Sequence, residues 1–319
     1  MSSGIAGAEP LRLFFEAEQR WRKWQGTPPQ SVYHYTRAAS LPKILESKRL
    51  WATSTSDLND ARELEHASDL LRDVLRDRAK RSRTNGDLYR PTVTNFRYPR
   101  SDLLTTFVAS LSGAEDDLSQ WSMYGDAFAG VALGFDSSVL IALDAREPTR
   151  QPVGFFRVLY HEKEQRQFFE WLVDRWEALV SEKWQLPDRS AMDAKMRKVE
   201  LESQLAIAAL SVLPRMKDRH FASENEWRIA HLHNRHRSDC DAFSIGDRTH
   251  VALDLAQIAG AMPLVSIWLG PAVANDESED LLKRLLMQHD RQNVDIRRSE
   301  IPLRGEPKRL ILNEPPNSR

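Results

Sequence analysis

One cysteine, Cys240, stands in 319 residues. A lone thiol excludes an intramolecular disulfide and any zinc site built on cysteine. The expected compartment is therefore a reducing one, the cytoplasm. Long apolar runs are also lacking. The longest, Leu205 to Leu213, is interrupted by Ser211 and is far too short to span a bilayer. Met1 to Pro10 has neither the basic nor the apolar stretch of a secretory signal, so no membrane association is expected. An excess of one charge is lacking too: 45 Lys+Arg stand against 46 Asp+Glu, a net charge of -1. That excludes a globally basic nucleic-acid coat but leaves room for a local basic patch. No internal repeat, P-loop, GxSxG elbow, HExxH helix or kinase signature occurs.

What is present is ordinary for a globular chain, with 41% hydrophobic and 29% charged residues. The length suits about two units of roughly 150 residues, or one larger domain with an insertion. Leu11 to Trp24 reads as a helix stopped by Gly26-Thr27-Pro28-Pro29. Short strands are predicted at Val32–Tyr35, Leu50–Thr53, Leu104–Ser112, Gly130–Phe135, Phe155–Tyr160, Glu224–His233, Thr249–Leu255, Val265–Leu269 and Val294–Arg298. Helices are predicted at Ser40–Ser47, Asp57–Arg78 and Glu277–His289, with one helical turn at Ser119–Tyr124. His161–Trp184 and Met192–Leu213 are amphipathic and read as a helical hairpin inserted between strands. The expected fold class is α+β: a central antiparallel or mixed sheet with an N-terminal helix and that insertion. The expected division is a helical segment over 1–30, one α+β domain over 31–305 with its insertion at about 161–213, and a tail over 306–319.

Five features bear on possible chemistry. Glu224-Asn225-Glu226-Trp227-Arg228-Ile229 on a strand would turn Glu224, Glu226 and Arg228 to one face and Trp227 and Ile229 to the other. Such a face is either an exposed edge of paired charges or a carboxylate poised at a cleft. His34 in Tyr33-His34-Tyr35-Thr36 reads more readily as a satisfied core histidine than as a catalyst, and the Ser/Thr run Thr53-Ser54-Thr55-Ser56 as helix capping, by Ser56 or Asp57. Gly125, Gly130 and Gly134 lack dinucleotide-fingerprint spacing and read as turn and close-packing residues. His231, His233 and His236 form a loose cluster, but no metal site is expected. Arg72 to Arg100 carries nine basic and three acidic residues, a solvated stretch or a patch for a phosphate-bearing partner.

Read in order, the segments Tyr33-His34-Tyr35-Thr36, Ile44-Leu45-Glu46-Ser47, Leu50-Trp51-Ala52, Leu58-Asn59-Asp60, Trp121-Ser122-Met123-Tyr124, Glu224-x-Glu226-Trp227-Arg228, Trp268-Leu269-Gly270-Pro271 and Ser299-Glu300-Ile301-Pro302 resemble a bacterial domain-of-unknown-function family, family 2971. The likeness runs from about Val32 to Arg304. More distantly, the early strands are similar to those of ADP-ribosyltransferases of the diphtheria-toxin and poly-ADP-ribose-polymerase type.

That second resemblance implies NAD as substrate. Glu226 would be the catalytic carboxylate, Glu224 would orient an acceptor, and His34 would anchor the adenosine ribose. Tyr35, Thr36, Ser54, Thr55, Asn59, Trp121 and Tyr124 would contribute to NAD binding. Two departures stand out: Tyr35 follows His34 where those enzymes usually have Gly, and Leu58-Asn59 stands where an aromatic is expected. Tyr35, Trp51, Trp121 and Tyr124 are the candidate stacking rings, Tyr124 first among them. The acceptor implied is a protein or nucleic acid, or water if NAD is simply hydrolysed. The setting implied is a toxin or phage-defence effector. The rivals are a non-catalytic ligand- or partner-binding module and a nucleic-acid binder using the Arg72–Arg100 patch.

Overall fold

A computed structural model describes residues 12–58, 63–81, 104–141, 153–184, 191–234, 241–274, 276–304 and 306–312. Its strands are β1 (Ser31–Thr36), β2 (Arg49–Ser54), β3 (Leu104–Ser112), β4 (Val131–Asp136), β5 (Val153–Arg157), β6 (Glu226–Asn234), β7 (Ala242–Ile245), β8 (Arg248–Asp254), β9 (Leu264–Leu269) and β10 (Asp295–Arg298). Its helices are α1 (Arg12–Trp24), α2 (Leu41–Ser47), α3 (Glu63–Arg81), α4 (Leu118–Met123), α5 (Ser137–Ile141), α6 (Glu162–Trp184), α7 (Ala191–Val212), α8 (Leu255–Ala259) and α9 (Asp276–Gln288). The expected α+β class and the inserted pair α6–α7 are both present. β7 was not foreseen. It is mostly exposed and joined to β8 by Gly246-Asp247, where Gly246 (φ 61) supplies the positive φ that a tight hairpin loop needs.

All ten strands join one mixed sheet, in the order β10-β9-β4-β1-β3-β2-β8-β7, with β6 and then β5 attached to β3. The β9–β10 pair is parallel and the remaining registered pairs are antiparallel. β3 runs beside β6 from Leu104↔Asn234 to Ser112↔Glu226. Its other edge is shared. β1 meets it at Tyr33↔Ser112, while β2 meets it at Thr53↔Val108 and Ser54↔Phe107. β1 and β2 therefore diverge across the stretch of β3 that contains Ser110.

Alternation along the strands sorts the side chains into two faces. One face packs Val32, Phe107, Leu111, Trp227, Ile229 and Val251 against α2, α8 and α9 through Leu45, Leu255 and Leu282. On the other face, Val108, Phe156 and Ala230 meet a second core made by α1, α3, α6 and α7, including Trp21, Leu71, Trp176 and Leu205. At one wing of that face lies a small aromatic cluster of Tyr33, Tyr35, Trp121 and Trp268. Gly134 permits this packing: a Cβ there would collide with Ser266 Oγ and meet Tyr33 Cε1 at 2.9 Å. The glycine is a close-packing residue, as expected from its sequence context.

Candidate functional site

The divergence of β1 and β2 opens a cleft of about 410 Å³ on the second face. Its lining includes Tyr33, His34 and Tyr35 from β1, Trp51 and Thr53 from β2, and Ser110 and Ser112 from β3. Tyr124, Lys217, Phe221, Glu224, Glu226, Arg228 and Arg248 also line it. His34 and Glu226 are thus brought into one cavity, with β3 between their strands. Both neighbours of Ser112 belong to the site: Tyr33 pairs with it on one side and Glu226 on the other.

The two glutamates reach the cleft by different routes. The expectation that Glu224 shares a strand face with Glu226 is corrected. β6 begins at Glu226, and Glu224 ends a 3-10 turn over Arg219–Glu224. Asp218 caps that turn by accepting from His220 N, and Asn225 closes it in the left-handed region (φ 43), which Asn tolerates better than most residues. Gly113 N donates to Asn225 O (2.8 Å), and a Cβ on Gly113 would collide with Asn225 Nδ2 at 2.5 Å. Ser112 Oγ donates to Glu224 O (2.9 Å), so the end of β3 fixes both glutamates.

Glu226 is no exposed edge charge. It is 5% exposed and Arg228 1% exposed. Arg228 Nε donates to Glu226 Oε1 (2.8 Å) and Nη2 to Oε2 (2.9 Å), the planar two-pronged grip that arginine offers a carboxylate. Arg228 Nη1 donates to Pro214 O at 2.5 Å. Lys217 Nζ bridges the two acids, 2.5 Å from Glu224 Oε2 and 3.1 Å from Glu226 Oε2. Two carboxylates and two cations make this buried group neutral overall, which is how such charges escape a prohibitive desolvation cost. Burial alone would raise the Glu226 pKa. The Arg228 charge and then that of Lys217 outweigh it and bring it down to about 2. Glu226 therefore stays ionised at any physiological pH.

Two tyrosines border the carboxylates. Tyr160 Oη accepts from Glu226 N (2.9 Å), and burial together with the Glu226 charge raises its pKa. Tyr124 Oη lies 3.5 Å from Glu224 Oε1, and burial and the Glu224 charge push its pKa up to about 12. Both phenols are protonated donors at neutral pH.

His34 is held by its backbone surroundings. Its Nδ1 lies 3.1 Å from Ser110 O. A carbonyl only accepts, so Nδ1 carries the proton and Nε2 is an acceptor in the neutral ring. Burial lowers the His34 pKa, partly offset by the Ser110 bond, which keeps the ring neutral at pH 7.

The remaining expected site residues divide. Tyr35 lines the cleft, but it is 6% exposed, its hydroxyl donates to Ala114 O (2.9 Å) and accepts from Asp117 N, and its ring meets Trp121 edge-on. Trp121 does not line the cleft. It is fully buried and donates from Nε1 to Asp116 Oδ1 (2.7 Å), so it is no stacking ring for a ligand. Thr36 pairs with Val131 at the far end of β1. Ser54 and Thr55 are buried, and Ser54 Oγ accepts from Ser56 N to start a 3-10 turn at Thr55–Asp57. Ser54 is thus the capping residue, rather than Ser56 or Asp57, and neither Ser54 nor Thr55 is among the residues that line the cleft. Asn59 lies outside the described residues. So do His236, Cys240 and the 82–100 part of the basic stretch. On α3, Arg72, Arg76, Arg78 and Lys80 pair with Asp69, Asp73, Asp174 and Asp77. Among the described residues no group of three His, Cys, Asp or Glu side chains could hold a metal ion. No helix among them is long and apolar enough to cross a membrane.

The sequence reading missed Lys217, Ser110 and Tyr160. Lys217 offered a faint signal: one lysine between Pro214 and a strand that opens with Glu226. Ser110 offered none, because its place depends on strand register, and Tyr160 offered none, because its reach to Glu226 N depends on the path of the chain after β5.

Residues 120–229, about a third of the chain, match a family model described as "Protein of unknown function (DUF2971)". That span holds Tyr124, Lys217, Glu224, Glu226 and Arg228. No match was found among curated proteins, and none among solved structures.

Proposed function

We propose that the chain is an ADP-ribosyltransferase-like enzyme that cleaves the nicotinamide–ribose bond of NAD. It would pass the ADP-ribosyl group to a macromolecule or to water. The observation that carries this reading is one cleft lined both by an ionised, rigidly held Glu226 and by a His34 of fixed tautomer. When the bond breaks, its electron pair leaves with the nicotinamide nitrogen and positive charge develops on the sugar. A carboxylate already oriented by Arg228 stabilises that charge without reorganising. His34 Nε2 supplies an acceptor for a ribose hydroxyl. Tyr124, 36% exposed, is the ring best placed to stack on nicotinamide. Lys217 Nζ lies nearer Glu224 (2.5 Å) than Glu226 (3.1 Å), so Glu226 is oriented chiefly by Arg228. Glu224 takes the acceptor's proton as the acceptor atom bonds to the sugar carbon that nicotinamide leaves.

One observation favours a second reading, a non-catalytic binding module: Glu226 is already engaged by Arg228 and Lys217. Nicotinamide release from NAD by the wild type and by Glu226→Gln separates the two. The enzyme reading expects release by the wild type only, and the binding reading expects none from either.

A further inference from the structure

The register of β2, β8 and β7 places one row of side chains on the face that continues from the cleft. Trp51 pairs with Ala252, Thr53 with His250, Phe243 with His250 and Ile245 with Arg248. Their neighbours Ala52, Val251 and Leu253 point into the core on the opposite face. Trp51 is 53% exposed although it stands in mid-strand, and Ile245 is 48% exposed. The Trp51 ring is edge-on to Phe243 (5.4 Å) and tilted against His250 (5.7 Å), and Thr53 Oγ1 lies 3.2 Å from His250 Nδ1. Arg248 adds a cation on this face, and with Trp51 and Thr53 it also lines the cleft. The shelf and the cleft are thus one continuous surface.

Trp51 is not a lone surface ring: it packs on Phe243, and contiguous exposed apolar patches mark interaction sites. This shelf interleaves rings with a guanidinium and has Ile245 as its one large aliphatic. An interface with another protein normally centres on a wider apolar patch ringed by polar groups. Rings on an open sheet face beside a cation suit unpaired nucleobases, whose π faces stack and whose phosphates meet the charge. A duplex keeps those faces stacked within itself.

We infer that the Trp51–Phe243–Arg248 shelf binds single-stranded nucleic acid, stacking one base on Trp51 beside the mouth of the cleft. The strand is then the acceptor class for the proposed transfer. That assignment rests on the NAD reading, whereas the binding itself does not. A labelled single-stranded oligonucleotide of about 12 mixed-sequence nucleotides, as DNA and as RNA, tests it by fluorescence anisotropy on the full chain. The expected result is binding that weakens as salt rises, falls about tenfold or more in Trp51→Ala, and is largely retained in Trp51→Phe. No binding at low salt, equal affinity in Trp51→Ala, or equal loss in both variants overturns the shelf. Competition by adenosine monophosphate at the same concentration of bases as the strand also overturns it, by making this a free-nucleotide site. NAD turnover is measured separately. Strand binding without turnover leaves the shelf standing and removes the NAD reading, and turnover without strand binding does the reverse.

Discussion

His34 Nδ1 and the Ser110 carbonyl oxygen lie 3.1 Å apart across the gap where β1 leaves β3. A side chain there takes the bond that a neighbouring strand would otherwise make. The consequence is a neutral imidazole with Nδ1 protonated. Two-bond 15N–1H correlation spectra at pH 7 should show that tautomer for His34, titrating below the ordinary histidine value. A ring protonated on Nε2, or one charged at pH 7, would remove His34 as an acceptor for a ribose hydroxyl.

Removing one member of the buried charge group should destabilise the fold strongly. In Arg228→Met, Glu226 keeps Lys217 but loses its two-pronged partner at a site 5% exposed. Loss of one partner of a buried pair costs about 3–5 kcal/mol. Urea denaturation should show this as a lower midpoint at unchanged slope. A double variant Glu226→Gln/Arg228→Met should recover part of the loss, because no uncompensated carboxylate is left. A single-variant loss below about 1 kcal/mol would mean that the pair is solvated, as surface pairs are.

The depressed Glu226 pKa makes stability pH-dependent in a defined window. Its folded value of about 2 lies below the ordinary 4.5, so the unfolded chain binds the proton more readily between them. The contribution is therefore fully present above about pH 4.5 and is lost as pH falls toward 2. Its size is on the order of 3 kcal/mol from the constant of 1.36 kcal/mol per pH unit. Thermal or urea unfolding from pH 6 down to 3 should show the wild type losing more stability than Glu226→Gln. Parallel curves would contradict the coupling to Arg228 and Lys217.

Much of the fold could be read from residue pattern. The insertion α6–α7 announced itself by Phe168, Trp171, Leu172, Trp176 and Leu179 at helical spacing, and Phe168, Leu172, Trp176 and Leu179 are buried in its core. β6 was legible from Trp227 and Ile229 alternating with Glu226 and Arg228. β7 was not, because an edge strand with three exposed residues of four carries no alternation of burial. For the site, His34, Tyr124, Glu224 and Glu226 line one cleft, since each lies on or beside a strand that reaches it. Trp121 did not fit, because nothing in Trp121-Ser122-Met123-Tyr124 tells which ring faces inward on a helix of six residues. Ser54 is a capping residue, and which member of a Ser/Thr run caps is an ambiguity that local sequence cannot lift. Lys217 belongs to the site only because the turn closed by Asn225 folds Glu224 back toward Glu226.

The central claim is that Glu226 acts on NAD in this cleft. Its most direct test follows nicotinamide release and NAD binding side by side for the wild type and Glu226→Gln, with and without bacterial lysate. The account predicts release by the wild type, a fall of at least about a hundredfold in Glu226→Gln, and NAD affinity within a few-fold between the two, as expected for lost transition-state stabilisation. No release and no NAD binding by the wild type under any condition would contradict it.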